Sequence, residues 1–231
     1  MALHPSISII IPTYNEEAII AESIQALLKI TERSEGIEII VSDASIDSTP
    51  KILSNFPITV CFSAKGRSKQ MNTGARLAHG DILYFLHADT LPPDTFIDTI
   101  RSAVADGKKA GCFKMGFDDS NPIMSLYGWF TQFPFMVCRG GDQSLFIDKY
   151  LFNDIGEFDE SLVVMEDIDI ISRIEQRAAF HILDAEVITS ARRYHQHGII
   201  RLQLIFGSIH FMYALGVDQD TIIQYYRENI S

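Results

Sequence analysis

The sequence has 231 residues, of which 47% are hydrophobic and 21% are charged, so it is long enough for one domain with a sizeable core. Its formal net charge of -11 argues against a nucleic-acid backbone as partner, and no fixed-period repeat runs through it. Three widely spaced cysteines form no CxxC pair, which predicts reduced thiols and a cytoplasmic location. The N-terminus lacks a basic segment followed by a long apolar run, so we expect no signal peptide.

Four short apolar runs, each followed by polar residues, alternate with helical patterns in the first half of the chain. They are Ile7–Ile11, Ile37–Val41, Ile58–Phe62 and Asp81–Leu86. Continuous apolar runs of this length are typical of strands that are buried on both faces. Their alternation with helical segments predicts βαβ units and a mostly parallel sheet over residues 6 to about 105.

The pattern loosens after that point. Strands are expected at 111–117 and 143–147, with two more short ones at 180–183 and 185–188. A helix within 122–137 is expected to form one wall of a pocket, although its aromatic residues are expected to pack in the core. A further helix is expected after Met165.

The tail at 199–229 is expected to form two helices. Its first stretch, 199–217, contains Arg201, Gln203 and His210, so an amphipathic helix is favoured over a membrane span. Packing on the core is favoured over peripheral contact with a membrane, because the basic face that such contact needs is thin. No Pro-, Gly- or Ser-rich linker separates domains.

Two polar residues lie just beyond the fourth apolar run, where open α/β sheets bind their ligands. Alternation along an extended chain points His87 and Asp89 the same way. A carboxylate presented there suits a hard divalent cation held jointly with phosphate oxygens. The alternative is that Asp89 starts the next turn or caps its helix.

Four motifs then occur in one order, namely ISIIIPTYNEE, IIVSDASIDST, GRSKQMNTGARLAHGDILYFLHADT and MEDIDI. Together they resemble the family 2 glycosyltransferases, which have the GT-A fold, over about residues 6–190. The resemblance extends to a subgroup of small, single-domain bacterial members. It implies an α/β fold with a Rossmann-like, mostly parallel sheet flanked by helices, and C-terminal helices.

The resemblance also implies an activity. A metal-dependent, inverting enzyme would move a sugar from a nucleotide-sugar, a UDP-sugar being favoured, to an acceptor that is a saccharide, a lipid or a small molecule. The cofactor would be Mn²⁺ or Mg²⁺. The single domain over 1–231 would have a nucleotide-binding half at about 6–105, an acceptor and catalytic half at about 106–198, and C-terminal helices at 199–231.

Site residues follow from the matched motifs. Asp89 matches the principal metal ligand of the family. His87 stands where the family usually has another acid. Asp43 matches the residue that recognises the nucleobase. The predicted nucleotide-binding residues are Pro12, Tyr14, Glu16, Asp43, Arg67, Gln70 and His87. Taken alone, Asp43 is equally a turn former, and Arg67 and Gln70 are solvated surface residues.

The resemblance implies that Asp167 is the general base in catalysis. Glu166 would then orient a hydroxyl or cap a helix. The alternative is that both are first-turn acids favoured by the helix dipole. His195 and His197, in an HxH pattern taken as a strand, are candidates for further metal ligands, and surface histidines are the alternative. Arg192 and Arg193 are candidates to reach the diphosphate.

The segment Gly140, Gly141, Asp142 and Gln143 is expected to shape the sugar or acceptor pocket, because glycine allows close backbone approach. Two other functions remain as alternatives. One is a non-catalytic module that binds nucleotide-sugars, and the other is a nucleotidyltransferase of the same fold. The acidic loop at Pro12–Glu17 lacks the glycines that nucleotidyltransferases typically have, and the chain has no GxGxxG after its first strand for NAD.

Overall fold

A computed structural model describes residues 4–140 and 143–230 of the chain. Within these ranges, eight strands form one sheet in the order β3-β2-β1-β4-β7-β6-β8-β5. The strands are β1 Ile7–Thr13, β2 Ile37–Asp43, β3 Thr59–Phe62, β4 Ile82–Phe85, β5 Thr90–Leu91, β6 Ala110–Phe117, β7 Leu145–Asp148 and β8 Phe180–Thr189.

The helices of the described residues surround this sheet. They are α1 Ile20–Thr31, α2 Thr49–Leu53, α3 Arg67–Leu77, α4 Phe96–Ala105, α5 Pro122–Phe130, α6 Lys149–Asp154, α7 Glu166–Glu175, α8 Arg192–His197, α9 Ile199–Ala214 and α10 Gln219–Ile230. A short 3₁₀ turn spans Met136–Cys138.

The four strands β3, β2, β1 and β4 are parallel, as the alternating apolar runs predict. Alternate residues of these strands face opposite layers of helices. Ile9 and Tyr84 pack under α1 and α4, whereas Ile10 and Ile40 pack against α3, α6 and α7. Burial on both faces explains why the runs are apolar throughout, and it confirms an α/β fold with a mostly parallel sheet.

The second half departs from the sequence-based expectations in several places. Residues 180–189 form one continuous strand, β8, which accommodates a register irregularity opposite Phe113 and Lys114. Helix α5 ends at Phe130, not near residue 137, because the Thr131 hydroxyl donates to the Gly128 carbonyl at 2.7 Å and closes the last turn.

The HxH pattern was expected on a strand, and this is wrong, because Arg192–His197 is helix α8. Strand β8 ends at Thr189, where the carboxylate of Asp118 accepts a hydrogen bond from the Ala191 amide at 2.6 Å. This contact turns the chain out of the sheet and into a helix. Gly198, at φ +85°, then separates α8 from α9.

The two C-terminal helices pack on each other and on the loop before α7. Leu202, Ile205 and Ile209 of α9 are buried against Ile222 and Ile230 of α10. This agrees with the predicted pair of packed helices at 199–229. Among the described residues, no helix is both long and apolar enough to cross a membrane.

Close backbone approach between β6 and β8 requires Gly111. A Cβ at this position would lie 2.2 Å from the carbonyl oxygen of His181, whereas a Cβ at Gly207 in α9 would have no heavy atom within 4 Å. We expect Gly111→Ala to destabilise the protein by roughly 1–3 kcal/mol, because backbone must move. Gly207→Ala should stabilise α9 by up to about 1 kcal/mol.

Urea unfolding of the two variants measures this contrast between glycines. Equal stability of Gly111→Ala and the parent chain would show that β6 and β8 are not packed at this distance.

Candidate active site

Two cavities lie side by side at the carboxyl ends of the parallel strands. The smaller, called the polar cavity, has a volume of about 200 Å³ and is lined mainly by Pro12, Thr13, Tyr14, Glu16, Gln70, His87, Asp89, Ser190 and Arg192. The larger, called the aromatic cavity, has a volume of about 770 Å³ and lies between α5, α7 and α9. The residues that line both cavities are Arg67, Arg193, Tyr194 and Phe206.

Hydrogen bonds between the loops that follow β1 and β2 shape the floor of the polar cavity. The Asn15 amide donates to the Ser45 hydroxyl at 2.8 Å, and the Ile46 amide donates to the Asn15 side chain at 3.0 Å. Asn15 has φ +56°, a conformation that asparagine tolerates better than most residues. The two loops therefore hold each other in place.

Gln70 joins the same two strand ends. Its amide nitrogen donates to the carbonyls of Thr13 at 2.6 Å and Ser42 at 3.1 Å. Gln70 lines the polar cavity as predicted, but the hydrogens expected to reach a phosphate or ribose are used by the backbone. Its role in this structure is to position β1 and β2.

Asp43 is fully buried, although the loop that follows it is polar. Its Oδ1 accepts hydrogen bonds from the Thr13 hydroxyl at 2.7 Å and the Ser45 hydroxyl at 2.6 Å. Its Oδ2 is buried and has no hydrogen-bond partner among the described residues. A buried carboxylate oxygen without a donor is costly, so Oδ2 is suited to accept a hydrogen bond. Asp43 itself does not line the polar cavity.

Arg192 brings together two acids that are far apart in the sequence. Its guanidinium lies 2.7 Å from Oε2 of Glu16 and 3.4 Å from Oδ2 of Asp89. Burial raises the pKa of the Glu16 carboxyl, and the hydrogen bond from Arg192 opposes that shift. A single cation thus contacts two carboxylates on the wall of the polar cavity.

The remaining predicted nucleotide-binding residues also line the polar cavity. His87 and Asp89 both line it, as does Ala88 between them, and Pro12 is a further member of the lining. The ammonium of Lys65 lies 3.7 Å from the centre of the Tyr14 ring. Among the described residues, no cluster of three His, Cys, Asp or Glu side chains is arranged to hold a metal ion.

The acidic pair at the start of α7 lies where the two cavities meet. Glu166 is 1% exposed and accepts a hydrogen bond from Arg67 at 2.9 Å. Asp167 lies 3.8 Å from the same guanidinium and is partly exposed. Met165 precedes them with φ +70°, which begins the helix at this junction. Arg67 therefore contacts both acids, and only the first of them is buried.

The wall of the aromatic cavity is held by two buried polar residues. Arg139 donates to the carbonyls of Thr131, at 3.0 Å, and Phe133, and Gln143 donates to the Thr131 carbonyl at 3.3 Å. Gly140 and Gln143 line this cavity, in agreement with the predicted pocket, whereas Gly141 and Asp142 lie outside the described residues. Sequence reasoning missed Arg139, although its place between an aromatic run and Gly140 was a signal.

The aromatic residues of 129–135 were expected in the core, and this is wrong. Trp129 is 54% exposed, Phe130 43% and Phe135 62%, and all three line the aromatic cavity with Phe133. The expected pocket wall from this segment is therefore present. The rings were misassigned because α9, which closes the cavity, lies some 70 residues away in the sequence.

The two histidines proposed as metal ligands lie elsewhere. Because residues two apart on a helix do not face each other, His195 and His197 do not share a face of α8. His195 Nε2 lies 2.8 Å from a carboxylate oxygen of Asp119, and neither histidine lines the polar cavity. Arg192, from the same helix, is the residue that contacts Asp89, whereas the two histidines do not line its cavity.

The sequence model that describes glycosyl transferase family 2 matches residues 8–149, which is more than half of the chain. The chain belongs to glycosyl transferase family 2. This family 2 chain is 30% identical over 161 residues to a validoxylamine A glucosyltransferase from Streptomyces hygroscopicus subsp. limoneus, covering 64% of the chain and 35% of that protein. It is 28% identical over 133 residues to the probable glycosyltransferase YdaM of Bacillus subtilis, covering 53% of the chain and 32% of YdaM. The chain thus spans about a third of the length of these relatives.

Solved structures confirm the predicted GT-A fold of this family 2 chain. A mannosyltransferase from Pyrobaculum calidifontis, in complex with GDP-Man and Mn²⁺, matches with a TM-score of 0.70 at 18% identity, covering 97% of the chain and 70% of that protein. Residues 1–349 of S. aureus TarS, in complex with UDP-GlcNAc, match with a TM-score of 0.65 at 19% identity, covering 87% of the chain and 66% of TarS 1–349.

The Arg67–Glu166 contact gives a testable energetic prediction. Arg67→Met should destabilise the chain by about 1–3 kcal/mol, because it removes a donor from a buried carboxylate. Adding Glu166→Gln should recover part of this loss, since a neutral amide costs less to bury than a charge. Arg76→Met is the matched control on α3, because its ion pairs with Glu157 and Glu160 lie at the surface and contribute less than about 1 kcal/mol.

Urea unfolding of the single and double variants measures the coupling between Arg67 and Glu166. Additive effects in the double variant would show that the two side chains do not stabilise each other.

Proposed function

We propose that this chain transfers a sugar from a nucleotide-sugar to the hydroxyl of an acceptor, with inversion at the anomeric carbon. The observation that carries the proposal is the meeting of the two cavities at Arg67, beside Glu166 and Asp167. The donor diphosphate would occupy the polar cavity and the acceptor the aromatic cavity. Residues 6–105 would form the nucleotide-binding half, residues 106–198 the acceptor and catalytic half, and residues 199–231 the C-terminal helices of one domain.

Base recognition is assigned to the edge formed by β1 and β2. The Oδ2 of Asp43 would accept a hydrogen bond from an N–H of the nucleobase, which satisfies an oxygen that the protein leaves without a donor. The Tyr14 ring, on the wall of the polar cavity, offers an apolar face to the base or ribose. UDP is the favoured nucleotide, since the matching TarS structure holds a UDP-sugar.

A divalent ion fits the acids of the polar cavity. Mg²⁺ and Mn²⁺ are commonly held by one or two carboxylates together with substrate phosphates, so a three-residue cluster is not required. Asp89, joined by Glu16, would hold the ion, and His87 would face the diphosphate or ribose. When bound, the ion would supply charge neutralisation to the departing diphosphate.

Arginines supply the rest of the positive charge. Arg192 and Arg193 both line the polar cavity, and planar guanidinium groups suit phosphate oxygens. Arg192 would exchange its contact with Asp89 for one with the diphosphate when the donor enters. Arg67 would hold Glu166 in place, so that the neighbouring carboxylate of Asp167 faces the acceptor hydroxyl.

The transfer itself needs one proton acceptor. The acceptor oxygen would attack the anomeric carbon from the face opposite the diphosphate, and its proton would pass to the carboxylate of Asp167. The bond between that carbon and the phosphate oxygen would break, and the nucleoside diphosphate would leave with the electron pair. Inversion follows from this single displacement.

Asp89 provides a test of the metal assignment by binding alone. We expect UDP with Mn²⁺ to stabilise the parent chain by about 2.7 kcal/mol at a hundredfold excess over Kd, which raises Tm by roughly 5–10 °C. Asp89→Asn should abolish the Mn²⁺-dependent part of this rise. Asp94→Asn is the control, because Asp94 is an exposed acid that does not line the polar cavity. If a chelator leaves the UDP shift of the parent chain unchanged, the metal assignment is wrong.

Asp167 provides a test of the chemistry. Asp167→Asn should lower kcat by about 10²–10⁴-fold with little change in donor affinity, because a general base acts in the transition state. Asp169→Asn is the control, since that carboxylate is held by Arg173 four residues away at 2.5 Å. Slow donor hydrolysis, with water as nucleophile, is a sufficient assay.

Equal turnover in Asp167→Asn and the parent chain would place the base elsewhere. A parent chain that binds nucleotide-sugar but hydrolyses and transfers none of it would instead favour the non-catalytic binding module.

A further inference from the structure

The aromatic cavity is much larger than the polar cavity, at about 770 Å³ against about 200 Å³. Its volume lies in the range of sites that hold drug-sized molecules. Its walls are mostly hydrocarbon, and its aromatic members are Tyr127, Trp129, Phe130, Phe133, Phe135, Tyr194, Phe206 and Tyr226. The shape and composition of this space restrict what it can bind.

Three polar side chains in the wall bond to the protein itself, whereas Nε2 of His210 is buried without a hydrogen-bond partner among the described residues. Gln143 donates to backbone carbonyls, Arg139 donates to those of Thr131 and Phe133, and the Tyr194 hydroxyl donates to Gln203 at 3.3 Å. A saccharide needs many hydrogen-bond partners when it leaves water, and unmatched hydroxyls are costly to bury. These contacts therefore favour a hydrocarbon ligand over a sugar.

Charge is concentrated at one end of the cavity. Arg67, Glu166, Asp167 and Arg193 lie where it joins the polar cavity. The rings of Trp129, Phe130 and Phe135 line the cavity and are partly exposed to water. Exposed aromatic rings around an apolar cavity mark a site for an apolar partner. The cavity therefore combines an apolar lining with charged groups where it joins the polar cavity.

We infer that the acceptor of this chain is an apolar alcohol, with its hydroxyl beside Asp167 and its hydrocarbon body among the aromatic rings. The inference rests on the proposed function and adds the class of acceptor to it. The alcohol oxygen forms the bond to the anomeric carbon, its proton goes to Asp167, and the nucleoside diphosphate leaves with the electrons of the broken C–O bond. The product is an apolar glycoside.

Trp129 is the only tryptophan of the sequence, and it lines the aromatic cavity, so its fluorescence reports on the site. We expect saturable changes on titration with farnesol and none with N-acetylglucosamine. Phe130→Ser should weaken farnesol binding by about tenfold, because it removes a ring from the cavity wall. Leu126→Ser is the matched control, since Leu126 is equally exposed on the same helix but does not line the cavity. Calorimetry with farnesol provides a second measurement that does not depend on Trp129.

A transfer assay completes the test, with farnesol or N-acetylglucosamine offered beside a panel of UDP- and GDP-sugars. Glycosylated farnesol, reduced in Phe130→Ser and unchanged in Leu126→Ser, would support the inference. A chain that UDP stabilises but that binds farnesol no better than N-acetylglucosamine would overturn it and leave the proposed function standing. Equal loss of farnesol binding in the two variants would also overturn it. If the chain binds farnesol but no nucleotide stabilises it, the apolar class of ligand stands and the proposed function is contradicted.

Discussion

Parallel pairing of β1 with both β2 and β4 is the constraint on which the site depends. Because parallel strands end at one edge of a sheet, Thr13 and Asp43 arrive there in register, and His87 and Asp89 follow the neighbouring strand. Gln70 then fixes the two central strand ends by bonding to a carbonyl of each. The polar cavity is thus a product of the sheet and of the two loops that bond to each other at its edge.

The first half of the fold was predictable because its signals are local. Apolar runs of strand length and the acids after them identify β1 to β4 and the position of Asp89 without knowledge of any partner. The burial of Asp43 was not predictable, because it results from packing by Thr13, which lies 30 residues earlier. The contact between Glu16 and Arg192 spans 176 residues, and no sequence pattern records it.

The second half was harder to predict for a different reason. A run such as 129–135 has the composition of a core, and only the position of α9 decides whether its rings are covered. Likewise, the alternation in Arg192–His197 is typical of a strand. The segment is nevertheless a helix, because the Ala191 amide donates a hydrogen bond to Asp118 and the chain turns out of the sheet. Helix and strand remain ambiguous over six residues, because tertiary contacts outweigh local preference at that length.

Arg192 has a consequence for the stability of the polar cavity without a ligand. Two carboxylates left together without a cation would repel each other, and sites of that kind often fold only with their metal. Here the chain supplies its own counter-ion to Glu16 and Asp89. The fold around Glu16 and Asp89 therefore does not depend on an added cation. The proposed metal site would then stay folded when divalent ions are removed.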